Sequence, residues 1–354
     1  MTIGEYPAIS LKDARATRES YRGMIVKGLD PRQVLKEQAQ TERAKQDNTL
    51  EKVSAEWLQV RNGKIAPTTW KAIERRLQIH VFPTMGEMPI TDITARDVLD
   101  LLRMIEKQST DLSRKVKSNL SRIFSYAIQL GMTDRNPASD LVSRDVLKSH
   151  KTTHHRAMEL EELPVFLKAL DADTASVQVK SAIRLMVMLF MRKAELCNAE
   201  WSHIDLKAGL WTVPADNTKK RREQVYPLPR QAVAILTELQ RYTGDCRYVF
   251  STGARSKDAP VGTQTLNHVV IRTGFHRKTT VHGFRALATG WLDEQGYNRQ
   301  AIERQLSHLE RGQTNQAYHR ADYMEERRQM LQAWADHIDS IREQHTGRQT
   351  SKAA

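Results

Sequence analysis

At 354 residues, 40% hydrophobic and 27% charged, the chain is long enough for two or three domains with sizeable cores, which excludes wholesale disorder. Its 55 Lys and Arg against 42 Asp and Glu leave a formal charge of +13, so a polyanionic partner is expected, nucleic acid ahead of an anionic membrane surface. The longest apolar run, Leu185 to Met191, falls far short of the ~20 residues of a bilayer span; the N-terminus lacks a secretory pattern, and Cys197 and Cys246 have no metal-ligand spacing, which together predict a cytoplasmic protein.

Along the chain, Ser10 followed by Asp13 predicts the capped start of a polar helix running toward Gly28, and the Gln/Glu/Lys-rich stretch to Asn48 reads as a linker helix or loop. From Thr49 to about Leu141, apolar residues recur at helical spacing: Val53, Trp57 and Val60; Trp70, Ile73 and Leu77; Val98, Leu101 and Leu102; Leu120, Ile123, Phe124 and Ile128. These predict four amphipathic helices, with Pro83, Gly86 and Pro89 marking a loop after the second and Thr94 with Asp97 capping the third. Residues 142–157 form a basic linker containing Lys151 and Arg156. Beyond it, Val177 to Phe190 is apolar almost all round, as in a buried central helix. Gly209 to Val213 and Gln224 to Leu228 read as two strands joined by the cationic turn Asp216 to Arg222.

Candidate chemistry gathers in this second half. Arg192 follows the buried helix directly, where a planar guanidinium could clamp phosphate oxygens and Glu195 could pin it, although a structural Arg–Glu pair is the simpler account of that segment alone. His282 and Arg285 share a helical face; His308 and Tyr318 follow, and a phenol deprotonated or hydrogen-bonded among cations is a feasible phosphate nucleophile. Read singly, each has an ordinary structural explanation: a capping His, a surface Arg, a packed Tyr. No H-E-x-x-H or carboxylate triad accompanies the histidines, so neither a metal nor a cofactor is expected.

The conjunction in order, Arg192, Lys219 on the hairpin turn, His282-x-x-Arg285, His308 and Tyr318, resembles the tyrosine recombinases (phage integrases), in particular those of satellite phages and genomic islands. The likeness extends from Arg192 to Leu206, through Trp211 to Pro214, and over Tyr318 to Arg328; Val81 to Ile90 and Asp134 to Ala138 are similar to that family's helical core-binding domain. The resemblance implies a mainly α fold with a small β-sheet. A helical core-binding domain at 49–141 and a mixed α/β catalytic domain at 158–339 would form a C-shaped clamp around DNA, with a C-terminal tail at 340–354. Residues 1–48 resemble the end of an arm-type DNA-binding domain and its linker, the bulk of which would precede Met1.

The implied activity is site-specific recombination through a 3′-phosphotyrosine, without metal or ATP, for integration and excision of a mobile element. The implied partners are double-stranded attachment sites, a homotetramer in synapsis, an excision-directing factor and a DNA-bending host protein, with no membrane. Tyr318 would be the nucleophile and Arg192 and Arg285 the phosphate clamp. Lys219 would be the general acid with Lys220 as rival, His282 a proton acceptor or phosphate ligand, His308 a hydrogen-bond donor and Glu195 the support of Arg192. DNA contacts are expected from Lys220, Arg221, Arg222, Lys115, Lys117, Lys151 and Arg156. Two other readings share the residues: a type IB topoisomerase, which would relax plasmids lacking any attachment site, and a non-catalytic DNA-binding protein, which would form no covalent adduct. Many family members carry Thr-Gly just before the first Arg and Gly before the later His, where this chain has Leu189-Phe190 and Ser307; both departures read as tolerated. The apolar face Leu331, Trp334, Ile338 and Ile341 of a C-terminal helix has two readings, packing on its own domain or, as in the family, docking on a neighbouring protomer.

Overall fold

The computed structural model describes residues 7–36, 47–142, 145, 147–148, 157–218, 221–251, 259–307 and 323–353. The chain divides into two compact units, residues 1–152 and 153–354.

In the first unit, α1 (Leu11–Val26) begins at Ser10, whose side chain accepts the Asp13 N–H, and buries no residue. The core forms from α2 (Leu50–Arg61), α3 (Pro67–His80), the single turn α4 (Phe82–Met85), α5 (Ala95–Glu106) and α6 (Thr110–Gln129). Local chemistry sets their starts: Thr94 and Asp97 form a reciprocal capping box at α5, and the Ser109 hydroxyl accepts the Leu112 N–H at α6. Leu50, Leu77, Leu102 and Phe124 are fully buried between the helices. Two positions depart from the periodic expectation: Val60 is 46% and Ile128 39% exposed. Both lie in the last turn of a helix, where the apolar stripe has run past its partner, and Val60 lines an open groove with Arg61, Lys64 and Arg122. The Pro83 loop also contains the helical turn α4, because proline is accepted in a first turn. Asn136 ties the chain after α6 back onto it, donating to the Ser121 carbonyl at 2.8 Å.

The second unit is built around α8 (Val177–Leu189), which follows α7 (Leu163–Ala172) and is buried on nearly every side from Val179 onward; its two basic residues, Lys180 and Arg184, both reach Asp171 at the surface. Around α8 pack α7, the short α9 (Lys193–Cys197), α10 (Arg230–Thr243), α11 (Thr263–Arg272), α12 (Gly283–Glu294) and the long C-terminal α14 (Met324–Ala353); α13 (Arg299–Gln305) joins α12 and α14. A three-stranded antiparallel sheet, β1 (Ile204–Asp205), β2 (Leu210–Val213) and β3 (Gln224–Pro227), carries the expected hairpin, with Trp211 opposite Tyr226. The sequence shows no sign of β1, since two residues are too few for alternation to register.

The C-terminal helix resolves the choice left open for its apolar face. Leu331, Trp334 and Ile338 are buried in their own unit, Ile341 packs at the edge of that core, and the Trp334 indole N–H donates to the Val187 carbonyl of α8 at 2.9 Å. This face is therefore core and unavailable for docking on a neighbour. The helix continues through Ala353 across the expected start of a tail at 340. Trp334→Ala should lower the stability of this unit by about 3–5 kcal/mol in urea unfolding followed by circular dichroism. Removing residues 329–354 should abolish its cooperative unfolding altogether.

Candidate active site

The site begins where α8 ends. Phe190 takes a left-handed conformation (φ 38°, ψ 37°), its N–H bonded to Met186, and this reversal brings Arg192 to the N-cap of α9. A non-glycine residue there costs roughly 1–2 kcal/mol, offset by complete burial of the Phe190 ring. The Arg192 side chain is 19% exposed. Its Nη1 donates to Glu195 Oε1 at 2.9 Å, and its Nη2 donates to the Ser307 carbonyl at 3.0 Å and to the Leu306 carbonyl at 3.4 Å.

Arg285 enters from the first turn of α12 and is 5% exposed. It donates to the Phe190 carbonyl at 2.6 Å and, through Nη2, to the same Leu306 carbonyl at 2.7 Å. Two guanidinium groups thus meet at one peptide oxygen, though their residues lie far apart along the chain. Burial and then the like charge of Arg192 hold the Arg285 pKa below its ordinary value, as expected for cations gathered out of water. Glu195, 2% exposed, is the carboxylate within this group, and its second oxygen accepts from the Tyr226 hydroxyl at 3.0 Å. His282, at the N-cap of α12, is exposed and lines, with Lys193, His276 and Asn267, a cavity of about 400 Å³.

Lys219, Lys220, His308, Tyr318, Lys151 and Arg156 lie outside the described residues. Beside the first pair, the Thr218 hydroxyl lies 2.9 Å from the carbonyls of Ala215 and Arg222 and accepts the Arg222 N–H, closing the neck of the hairpin turn. Arg221 and Arg222 are exposed there. In the first unit Lys115 is paired with Asp111 at 2.6 Å, which sets part of its charge against a carboxylate rather than a phosphate, and Lys117 is half-buried. In the second unit Tyr323 donates to Gln300, and burial pushes the Cys197 thiol up to about 12. Among the described residues no three His, Cys, Asp or Glu side chains are grouped as metal ligands would be, and no helix is long and apolar enough to cross a membrane.

Sequence reasoning passed over Tyr226, Gln305 and Arg327. The fully buried Arg327 guanidinium donates to Gln305 Oε1 at 2.8 Å and to the Val225 carbonyl at 2.5 Å, while Gln305 donates to the Leu189 carbonyl at 3.1 Å. Tyr226 had one available signal: an inward strand position, where a buried phenol needs a polar partner.

Three family models match the chain: the phage integrase family over residues 156–325, the phage integrase central domain over 50–144 and an arm DNA-binding domain over 1–38. The prophage integrase IntZ of Escherichia coli K12 is 34% identical over 340 residues, covering 96% of this chain and 83% of the relative. The integrase of Enterobacteria phage P4 is 31% identical over 366 residues, covering 98% and 81%. Among solved structures, a lambda integrase dimer bound to a COC′ core site superposes with a TM-score of 0.62 at 18% identity, covering 74% of this chain and 96% of that one. The Tn1549 transposon integrase with circular intermediate DNA gives 0.59 at 17%, covering 75% and 94%. At these identities the structural likeness speaks for the fold.

Glu195→Gln removes the buried carboxylate that pairs with Arg192, and should destabilise the second unit by about 3–5 kcal/mol in urea unfolding at neutral pH.

Proposed function

The chain belongs to the phage integrase family of tyrosine recombinases, and from that premise we propose that Arg192 and Arg285 clamp a scissile phosphate attacked by Tyr318. The enzyme is a site-specific DNA recombinase that cuts and rejoins strands for integration and excision of a mobile element. The observation that carries the residue assignment is the meeting of the two guanidinium groups at the Leu306 carbonyl, held by Glu195. A guanidinium carries more N–H donors than these bonds use, in a planar fork that suits the non-bridging oxygens of a phosphodiester.

In this reading the Tyr318 phenol oxygen bonds to phosphorus and the bond from phosphorus to the 5′-oxygen breaks. Lys219, with Lys220 as the alternative, gives its proton to that leaving oxygen. His282 takes the phenol proton or holds the phosphate, and His308 donates to a non-bridging oxygen. One phosphodiester is exchanged for another, so the bond energy is kept in the 3′-phosphotyrosine and religation reverses the step without ATP. Charge growing on the phosphoryl oxygens meets two fixed cations in a site shielded from water, where electrostatic stabilisation is strongest.

The partner in this reading is double-stranded DNA, which the formal charge of +13 favours. Residues 49–141 would grip the core site and 158–339 carry the chemistry. Lambda integrase has been solved as a dimer on a core site and as a tetramer on a Holliday junction. A homotetramer in synapsis is the corresponding assembly here, aided by an excision-directing factor and a DNA-bending host protein.

On a nicked duplex carrying the crossover sequence, Tyr318→Phe should form no covalent adduct while its dissociation constant stays within about twofold of the parent; a normal adduct yield would move the nucleophile elsewhere. Affinity for that duplex, read by fluorescence anisotropy, should fall on the order of a thousandfold between about 50 and 200 mM salt. A flat response would remove the basic surface from the account.

A further inference from the structure

The Tyr226 hydroxyl occupies a position that the assigned chemistry does not use. It lies on β3, fully buried, 3.0 Å from Glu195 Oε2 and 3.0 Å from Ser307 Oγ. Glu195 in turn holds Arg192 at 2.9 Å, and Arg192 donates at 3.0 Å to the carbonyl of the same Ser307. The four residues therefore close a ring of hydrogen bonds, with Tyr226 as the member from the hairpin.

Counting protons fixes the direction of the bonds. An ionised Glu195 only accepts, so the single Tyr226 proton is committed to it, and the Ser307 hydroxyl must donate to the Tyr226 oxygen. Burial, reinforced by the negative charge of Glu195, pushes the Tyr226 phenol well above its ordinary range and keeps that proton in place.

Ser307 supplies a second, independent observation. Its φ is +54°, a left-handed conformation that glycine adopts freely. Here a side chain is kept in spite of the backbone cost, and its hydroxyl is spent on Tyr226. The same residue immediately precedes His308, so the bond also reaches the turn that leads to that histidine.

Resting on the active-site reading above, we propose that Tyr226 is a positioning residue for strand cleavage, which with Ser307 sets the aim of the Arg192 guanidinium through Glu195. The hydroxyl joins three elements that must agree at the moment of reaction: the hairpin that bears Lys219, the box that bears Arg192 and the turn that leads to His308. Without it Glu195 Oε2 loses its partner, and Arg192 is held less firmly without losing its charge. Binding of DNA, carried by a broad basic surface, would not register the change, whereas the cleavage rate would.

The full-length chain and its variants are compared on a nicked duplex cut from the crossover sequence at which the parent recombines. Single-turnover adduct formation is timed at saturating duplex, and affinity is measured separately. Tyr226→Phe should slow adduct formation about tenfold with affinity within about twofold. Ser307→Gly, which suits the left-handed backbone and removes the side chain that carries the hydroxyl, should slow it about threefold. Because both act through one bond, the double variant should be no slower than Tyr226→Phe alone, within about twofold. Cleavage by Tyr226→Phe at the parent rate, a parallel loss of rate and affinity, or slowdowns that multiply in the double variant would each overturn the proposal. Should Tyr226→Phe fail to fold, Ser307→Gly carries the test, and a parent-like rate there overturns it. Arg192→Lys, run alongside, separates the two readings. If it cleaves normally, the active-site assignment falls and the positioning role with it; if it is inactive beside a normal Tyr226→Phe, only the positioning role falls.

Discussion

Two guanidinium groups held together out of water are the constraint around which the second unit is arranged. Each loses hydration on burial and each repels the other, and the depressed Arg285 pKa records both effects. Among the described residues the hydrogen-bonding answer is the Glu195 carboxylate and the carbonyls of Phe190, Leu306 and Ser307. Those carbonyls point inward because helices end at Leu189 and Gln305, leaving peptide oxygens that no further helical turn consumes. Helix ends thus serve as the counter-dipoles of the site. The left-handed residues Phe190 and Ser307 are the backbone cost of ending two helices at that place.

Such an arrangement costs stability by itself, and in the proposed reading an arriving phosphodiester offsets that cost. A site already neutralised by several carboxylates would have little affinity for a phosphodiester. With Glu195 paired to Arg192 and the remaining bonds going to carbonyls, the two guanidinium groups keep a fixed geometry, so in the proposed reading little reorganisation is needed as charge builds on the phosphoryl oxygens. Glu195 is accordingly both a stabiliser and an orienting group, and the Tyr226 hydroxyl bears on its second oxygen rather than on the one that meets Arg192.

What was legible in the sequence was what is local. The Thr94 and Asp97 capping box, the apolar all-round stretch of α8 and the hairpin about its cationic turn depend on neighbours a few residues apart, and each stands where the spacing puts it. Arg192, Glu195 and Arg285 were legible by order and residue type, and the fold brings these three together. Tyr226 was not, because its meaning lies in Glu195, 31 residues away, and Ser307, 81 residues away; periodicity says only that it faces inward. Val60 and Ile128 mislead for the converse reason. They continue an apolar period past the point where a facing helix exists to cover it. The C-terminal helix marks the same limit: an amphipathic stripe states that a face needs cover, and only packing states that α8 provides it.

That packing also bears on how the helix serves the reaction. Arg327, in its second turn, is buried against Gln305 and the Val225 carbonyl, and Gln305 continues to the carbonyl of Leu189 at the end of α8. The start of α14, the end of α13, the strand that carries Tyr226 and the helix that delivers Arg192 therefore meet within a few hydrogen bonds. The polypeptide leaves this junction at Ser307 and returns to it at Tyr323, whose carbonyl accepts the Arg327 N–H at 2.8 Å. Tyr318 belongs to the stretch between those two points. The elements that fix the arginines are thus the ones that fix both ends of the segment holding Tyr318, the proposed nucleophile, so α14 belongs to the frame of the proposed site and is not an appendage to it.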